Sequence, residues 1–245
     1  MNILFSNYLS RSPIDTAMRN FGKKFSENQK VLDIGCGKKP YRTLFKCEYV
    51  GLDSEKSVNP DIVANAWKIP LPSESFDGII LNQSLEHIAE TQASVKEIWR
   101  LLKPGGAVIV TVPHTMRTHS SPISASEAPV KNFNSEEHTT WRVDYFRFTK
   151  FGLIYAFKDF KTLSVKETNG YIGTLLQLVN YFLASIGPNW LFTPIYLVNN
   201  IIGLTTDELF KFMATLPIPI FKKLYDYVYT SITINYIGIF KKTSN

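Results

Sequence analysis

The chain is short of several things, and each shortage narrows what it can be. Its 245 residues include two cysteines, Cys36 and Cys47. That is too few for a disulfide framework and fits a reducing compartment, so a cytoplasmic location is expected. Residues 168–206 contain no Asp, Glu, Lys, Arg or His and are dense in Leu, Ile, Tyr, Phe and Trp. Even so, they hold no uninterrupted apolar run of the ~20 residues that a spanning helix needs. Gly187-Pro188 divides the stretch, Pro194 interrupts its second piece, and Gln177, Asn180, Asn199 and Asn200 dilute it. The first residues, Met1 to Arg11, have a short apolar stretch but no basic region before it and no cleavage pattern, so they do not read as a signal peptide. The net charge is +6, but the basic residues are scattered rather than interleaved with aromatics on one face. Nucleic acid is not an expected partner.

What is present starts with 44% hydrophobic residues, enough for a globular core. The length suits one large α/β domain with an elaboration. Residues 31–37 read Val-Leu-Asp-Ile-Gly-Cys-Gly, a buried parallel strand running into a glycine turn. The glycines let the backbone turn tightly and approach a ligand without a Cβ in the way. A second apolar segment, Tyr49-Val-Gly-Leu, ends on Asp53, about where a nucleoside-binding βαβ unit sets a carboxylate on a ribose diol.

The same residues narrow the nucleoside. A dinucleotide fingerprint would place a third glycine at position 40, which is Pro. Asp33 stands just before the turn and would repel a pyrophosphate, whereas it would favour an ammonium or sulfonium group. S-adenosylmethionine carries a ribose, an adenine, an ammonium and a sulfonium, and no phosphate.

At this point the chain resembles the class I S-adenosylmethionine-dependent methyltransferases. Asn65-Ala66-Trp67-Lys68-Ile69-Pro70-Leu71 is similar to that family's Asp-Ala-x-x-Leu-Pro-Phe segment. Ser75-Phe76-Asp77, Leu85-Glu86-His87-Ile88 and Glu97 to Gly106 resemble its later segments, in order. The resemblance implies a doubly wound, Rossmann-like seven-stranded α/β sheet and S-adenosylmethionine as cofactor. Asp33, Gly35, Cys36, Gly37, Asp53, Asn65, Ala66 and Asn82 are the implied cofactor residues, Cys36 as a small side chain that fits the turn. Asn65 stands where the family has Asp; with Ala66 it would read the adenine edge. The family methylates many nucleophiles, so the acceptor is left open. The Asn-Pro-Pro-Tyr-like segment that accompanies base methylation is absent: that place reads Asn82-Gln-Ser-Leu85.

Alternation along the chain predicts strands near 30–35, 48–52, 61–65, 76–82 and 106–112, with helices near 41–46 and 91–102. Pro13 to Phe25 reads as a helix capped by Ser12, packing on the core as an N-terminal segment, residues 1–27. Lys103-Pro-Gly-Gly106 reads as a helix stop and a turn. The methyltransferase domain then covers 28–245. Residues 114–143, rich in Ser, Thr, Pro and His, form an expected acceptor loop. Asp144-Tyr-Phe-Arg-Phe-Thr149, followed by Gly152-Leu153, is similar to a methyltransferase subgroup associated with surface-polysaccharide genes. A helix near 150–157, a sixth strand at 160–165 and an antiparallel last strand at 232–241 complete the sheet. Between the last two strands lies an apolar helical insertion, 168–229. It reads as a buried cap or dimer surface, as an interfacial membrane contact, or, least well, as a spanning hairpin.

Methyl transfer from a sulfonium needs alignment above all, and an oxygen acceptor also needs a base. His114, after the fifth strand, and His87, after the fourth, are the candidate catalytic bases. Tyr145 and Arg147 are candidate acceptor contacts. His119 and His138 match no closed zinc spacing, and no metal is expected. The expected acceptor is a small or lipid-linked molecule, a sugar or glycan hydroxyl first, with a lipid or quinone precursor as the alternative. A non-catalytic scaffold that keeps the fold is the rival from another class. Monomer and homodimer both remain open.

Overall fold

The structure, a computed structural model, describes residues 2–116 and 143–243. They form two compact units. The larger comprises Met18–Pro113, residues 143–165 and residues 237–243; the smaller comprises residues 2–17, His114–Met116 and Lys166–Tyr236.

The larger unit is organised by a seven-stranded sheet in the order β3-β2-β1-β4-β5-β7-β6. The strands are β1 (Lys30–Ile34), β2 (Glu48–Asp53), β3 (Ile62–Val63), β4 (Phe76–Asn82), β5 (Leu102–Pro113), β6 (Lys161–Glu167) and β7 (Asn235–Lys241). β1 pairs in parallel with β2 and β4, and β4 in parallel with β5. Val31, Leu32, Ile79 and Ile80 are buried on both faces of the sheet, as expected where parallel strands read as continuous apolar runs. β7 runs antiparallel to β5. Gly105 donates to the Lys242 carbonyl and Lys242 to the Gly106 carbonyl at one end, and His114 donates to the Ile234 carbonyl at the other. This is the doubly wound sheet expected from the sequence, with the helical insertion before its last strand.

Several boundaries differ from expectation. The 41–46 segment is a single 3-10 turn, Arg42–Leu44, rather than a helix. Lys39 there takes a left-handed φ of 54° and precedes Pro40, so the segment is spent on turns. β3 shrinks to Ile62–Val63, because Asn65 already turns back in an isolated bridge to Lys68. Lys103 to Gly106 belongs to β5 as an irregularity in its pairing with β4 rather than a separate turn.

The first helix, α1 (Tyr8–Gly22), begins before Ser12, so Ser12 is not its cap and Pro13 lies inside it. Proline there deprives the Leu9 carbonyl of its helical donor. The Asn169 side-chain amide supplies one instead, at 2.9 Å. α2 (Thr91–Leu101) and α3 (Lys150–Ala156) stand as expected, with the Thr149 hydroxyl capping α3 by accepting from Gly152 N.

Aromatic packing closes the larger unit. Phe21, Phe25, Phe45 and Tyr49 form one chain of ring contacts, and Phe157 stacks on Phe240 at 4.5 Å between centroids. Phe240 is fully buried in β7. Phe240→Ala should therefore cost about 3–5 kcal/mol in urea unfolding monitored by circular dichroism. A loss below about 1 kcal/mol would show that this end of the sheet carries little of the stability.

Candidate functional site

The site begins where β1 and β2 end. β1 delivers Asp33 and then turns through Gly35 and Gly37, at φ 72° and 50°. A Cβ on Gly35 would collide with Ser84 Oγ, whereas a Cβ on Gly37 would meet nothing within 4 Å. The first glycine is thus required by strain and by packing. The second is required by strain alone and faces open space, as a ligand-facing backbone would.

β2 delivers Asp53, whose two oxygens are both engaged. Oδ2 accepts from Gly37 N at 2.9 Å and Oδ1 from Glu55 N at 3.0 Å. A carboxylate offers about four acceptor sites, so lone pairs remain for a ligand diol. Across the turn, Lys39 Nζ meets Asp61 Oδ1 at 2.6 Å, and Asp61 Oδ2 accepts from Gly51 N. Lys39 and Asp61 escaped the sequence reading, because an ion pair across a turn has no local spacing to betray it.

Asp33 is 2% exposed. Its Oδ2 accepts from the Tyr49 hydroxyl, and its Oδ1 has no hydrogen-bond partner among the described residues. Burial raises its pKa from 3.8 to about 7; the Tyr49 hydrogen bond opposes that and the Asp53 charge adds to it. A buried carboxyl with an unused oxygen is costly unless a cation meets it. Cys36 is buried as well, and burial first, then the charges of Asp33 and Asp53, push its thiol up to about 12. It stays a protonated, space-filling side chain.

Asn65 and Ala66 follow β3, with Lys68 N donating back to the Asn65 carbonyl. Asn82 ends β4, where its Oδ1 accepts from Thr111 Oγ1 at 2.7 Å. Ser84 Oγ lies 3.5 Å from the Gly35 carbonyl, which ties the segment after β4 to the turn after β1.

That segment continues into Leu85–His87 and a buried ionic cluster. Glu86 is fully buried, and burial first, then the Asp144 charge, raises its pKa to about 8. Its carbonyl accepts from Tyr145 N and Phe146 N. His87 Nδ1 lies 3.0 Å from the Val143 carbonyl and 3.3 Å from Asp144 Oδ1. Arg147 holds Asp144 Oδ2 at 2.7 Å. Of the sequence candidates, His87 and Arg147 therefore meet through Asp144, and Tyr145 joins them by its backbone amide. Arg147 is engaged there by a carboxylate, which is a structural use of a candidate acceptor contact. Glu86 and Asp144 were missed as site residues because only burial distinguishes them from surface acids.

His114 belongs to the smaller unit, where its ring lies 5.3 Å from that of Tyr236. Most of the expected acceptor loop, including His119 and His138, lies outside the described residues. Among the described residues no three His, Cys, Asp or Glu side chains gather to hold a metal.

Comparison with known proteins bears on the sheet that carries these residues. Residues 32–110 match the family described as methyltransferase domain. A probable S-adenosylmethionine-dependent methyltransferase of Mycolicibacterium smegmatis is 28% identical over 120 residues, 44% of this chain and 45% of that protein. A demethylmenaquinone methyltransferase of Symbiobacterium thermophilum is 36% identical over 47 residues, 19% of each chain. The chain thus spans less than half the length of these relatives. Among solved structures, the [4+2]-cyclase SpnF superposes with a TM-score of 0.56 at 16% identity, over 94% of this chain and 82% of that one.

The raised pKa values carry a prediction for stability. A carboxyl whose folded pKa lies above its unfolded value stabilises fully below the unfolded pKa, and that contribution is lost as pH rises through the folded one. Asp33 should therefore make the protein lose stability between pH 4 and pH 7. Asp33→Asn removes this loss. In urea unfolding the variant should gain on the wild type steadily across that window and hold the gain at pH 8. A gap that does not change with pH would refute the assignment.

Proposed function

We propose that this chain, a class I S-adenosylmethionine-dependent methyltransferase in its sheet and in residues 32–110, moves a methyl group from that cofactor to a small-molecule acceptor. The observation that carries the reading is the cradle formed by Asp33, Gly35, Gly37 and Asp53. It offers a carboxylate with lone pairs left for a diol, an open backbone face, and a buried carboxyl oxygen suited to a cation.

The bound cofactor would supply an activated methyl on sulfur with its leaving group already in place. The residues of this chain supply position. Asp53 would hold the ribose hydroxyls, and Asp33 the positive end of the methionine moiety. Asn65 and Ala66 would read the adenine edge, and Asn82 would border the site. His87 is the favoured base, with Asp144 fixing its ring. With the Nδ1 proton on the Val143 carbonyl, Nε2 is the basic nitrogen. Among the two histidines expected from the sequence, His87 is the one in the same unit as the cradle.

For the acceptor we favour a hydroxyl of a sugar or glycan precursor, free or lipid-linked, on the Asp144–Thr149 pattern and the Gly152-Leu153 that follows it. A quinone-type lipid precursor is the second reading. It is favoured by the activity named for the Symbiobacterium relative and by the apolar faces of the insertion. Two buried free cysteines suit a cytoplasmic site of action.

Calorimetry with S-adenosylhomocysteine tests the cradle. Asp53→Ala should weaken binding at least about tenfold, and Gly35→Ala should abolish it. Equal binding by wild type and Asp53→Ala, or tighter binding of NAD, would sink the reading. Because a cation favours ionised Asp33, binding of S-adenosylmethionine should tighten from pH 6 to pH 8, and Asp33→Asn should flatten that slope.

Labelled S-adenosylmethionine supplied with fractionated cell extract tests the acceptor. Label should enter the small-molecule or lipid fraction. Label mainly in RNA or protein, or cofactor binding with no turnover on any fraction, would overturn the proposal.

A further inference from the structure

The helices between β6 and β7 are built inside out. α4 (Tyr171–Ile186) and α5 (Asn189–Thr215) form an antiparallel hairpin within the smaller unit, joined at Gly187-Pro188. Pro194 does not interrupt α5 as expected; it lies near the helix start, where a missing donor removes only a bond close to the end. The buried residues of α4 are Gly173, Thr174, Gln177, Asn180 and Tyr181, and those of α5 are Tyr196, Asn200, Gly203 and Asp207. No Leu, Ile, Val, Phe or Trp of either helix is buried. Val179, Phe182 and Ile186 on α4, and Ile195, Val198 and Ile202 on α5, are exposed instead.

The buried amides are satisfied; among the described residues only the Thr174 hydroxyl of this face has no partner. Asn180 donates to Asn200 at 3.0 Å and accepts from Asn199 at 2.8 Å. Asn200 donates to the carbonyls of Ile3 and Phe5, and Gln177 to that of Ser6. The helices touch through glycines: a Cβ on Gly203 would come within 3.3 Å of Gly173 Cα.

Water as the solvent would select the opposite arrangement, with apolar side chains inside. Hydrocarbon as the solvent selects this one. There, polar groups must be satisfied internally, helices pack through small residues, and Asn and Gln bond across the interface.

We infer that the α4–α5 hairpin dips into one leaflet of an anionic membrane, with its tip around Trp190 leading. Charge distribution decides for lipid over a second copy of the chain. A protein interface carries a polar, charged rim. Here 168–206 is free of charge; beyond it Lys211 pairs with Glu208 at 2.7 Å, and the exposed Lys222 and Lys223 follow. That is the order of hydrocarbon and anionic headgroups. Trp190 is 76% exposed, and Tyr227, beside the lysines, is 72% exposed. Tyr227 thus suits the headgroup level, and the large indole of Trp190 is the apolar anchor at the tip. Length sets the depth: α4, and the part of the 27-residue α5 before its first charge at Asp207, each extend less than about 30 Å, short of a hydrocarbon core of ~30 Å. Among the described residues no helix is long and apolar enough to cross a membrane. The inference does not depend on methyl transfer.

Vesicle flotation of the full chain tests it, with phosphatidylcholine alone and with added phosphatidylglycerol. The wild type should float with both, more with the anionic vesicles, and high salt should weaken only that excess. Trp190→Glu with Leu191→Glu should reduce flotation at least about tenfold, with S-adenosylhomocysteine binding and the melting temperature unchanged. A second readout covers a variant that fails to fold. Brominated lipid should quench wild-type tryptophan emission, and Trp190→Phe should remove most of that quenching. A wild type that stays off vesicles overturns the inference, whether it runs as a monomer (buried core) or as a detergent-independent dimer (a second copy covers the face). So does flotation that the charged variant leaves intact.

Discussion

One hydrogen bond ties the candidate site together: Gly37 N to Asp53 Oδ2, 2.9 Å. It closes the turn after β1 onto the end of β2 and fixes a carboxylate that keeps lone pairs for a ligand. Two other features make it attainable. Gly35 and Gly37 accept positive φ, and Ser84 comes close to Gly35 because no Cβ intervenes. The parallel pairing of β1 with both β2 and β4 then brings three strand ends to one edge of the sheet, where such folds hold ligands.

That edge concentrates acids out of water. Asp33 and Glu86 both have raised pKa values, and burial is the largest cause in each. Their environments differ. Asp33 has a hydroxyl donor on one oxygen and an unmatched oxygen on the other, which suits an incoming cation. Glu86 lies in a cluster with His87, Asp144 and Arg147, where Arg147 balances one charge. A perturbed acid in such a place points to function only with geometry to support it, and here the geometry gives the two acids different surroundings. The fold alone does not decide the chemistry. A similar sheet serves in a protein described as a [4+2]-cyclase, so the reaction must be argued from the side chains.

The smaller unit follows a different logic. Its hairpin gains specificity from amide-to-amide bonds among Asn180, Asn199 and Asn200 rather than from apolar burial. Polar contacts of that kind define one register and orientation for two helices that apolar side chains would let slide.

The sequence by itself determined the parallel strands, the glycine turn and Asp53, because period, strain and spacing are local and survive in one dimension. It also disclosed a helical insertion whose first part, 168–206, has no charge. It did not disclose that the helix begins before Ser12 and carries Pro13 past its first turn, since the Asn169 amide that serves the Leu9 carbonyl comes from a residue 160 positions away. Nor did it show that 41–46 collapses to a turn, or that Asp144 and Arg147 bind each other before any substrate. Above all, the tertiary structure alone decided which side of each insertion helix is buried. An apolar helix with a few amides reads the same whether those amides face in or out. Only the packing of α4 on α5, through Gly173 and Gly203, turns them inward and leaves leucine, isoleucine and tryptophan outside.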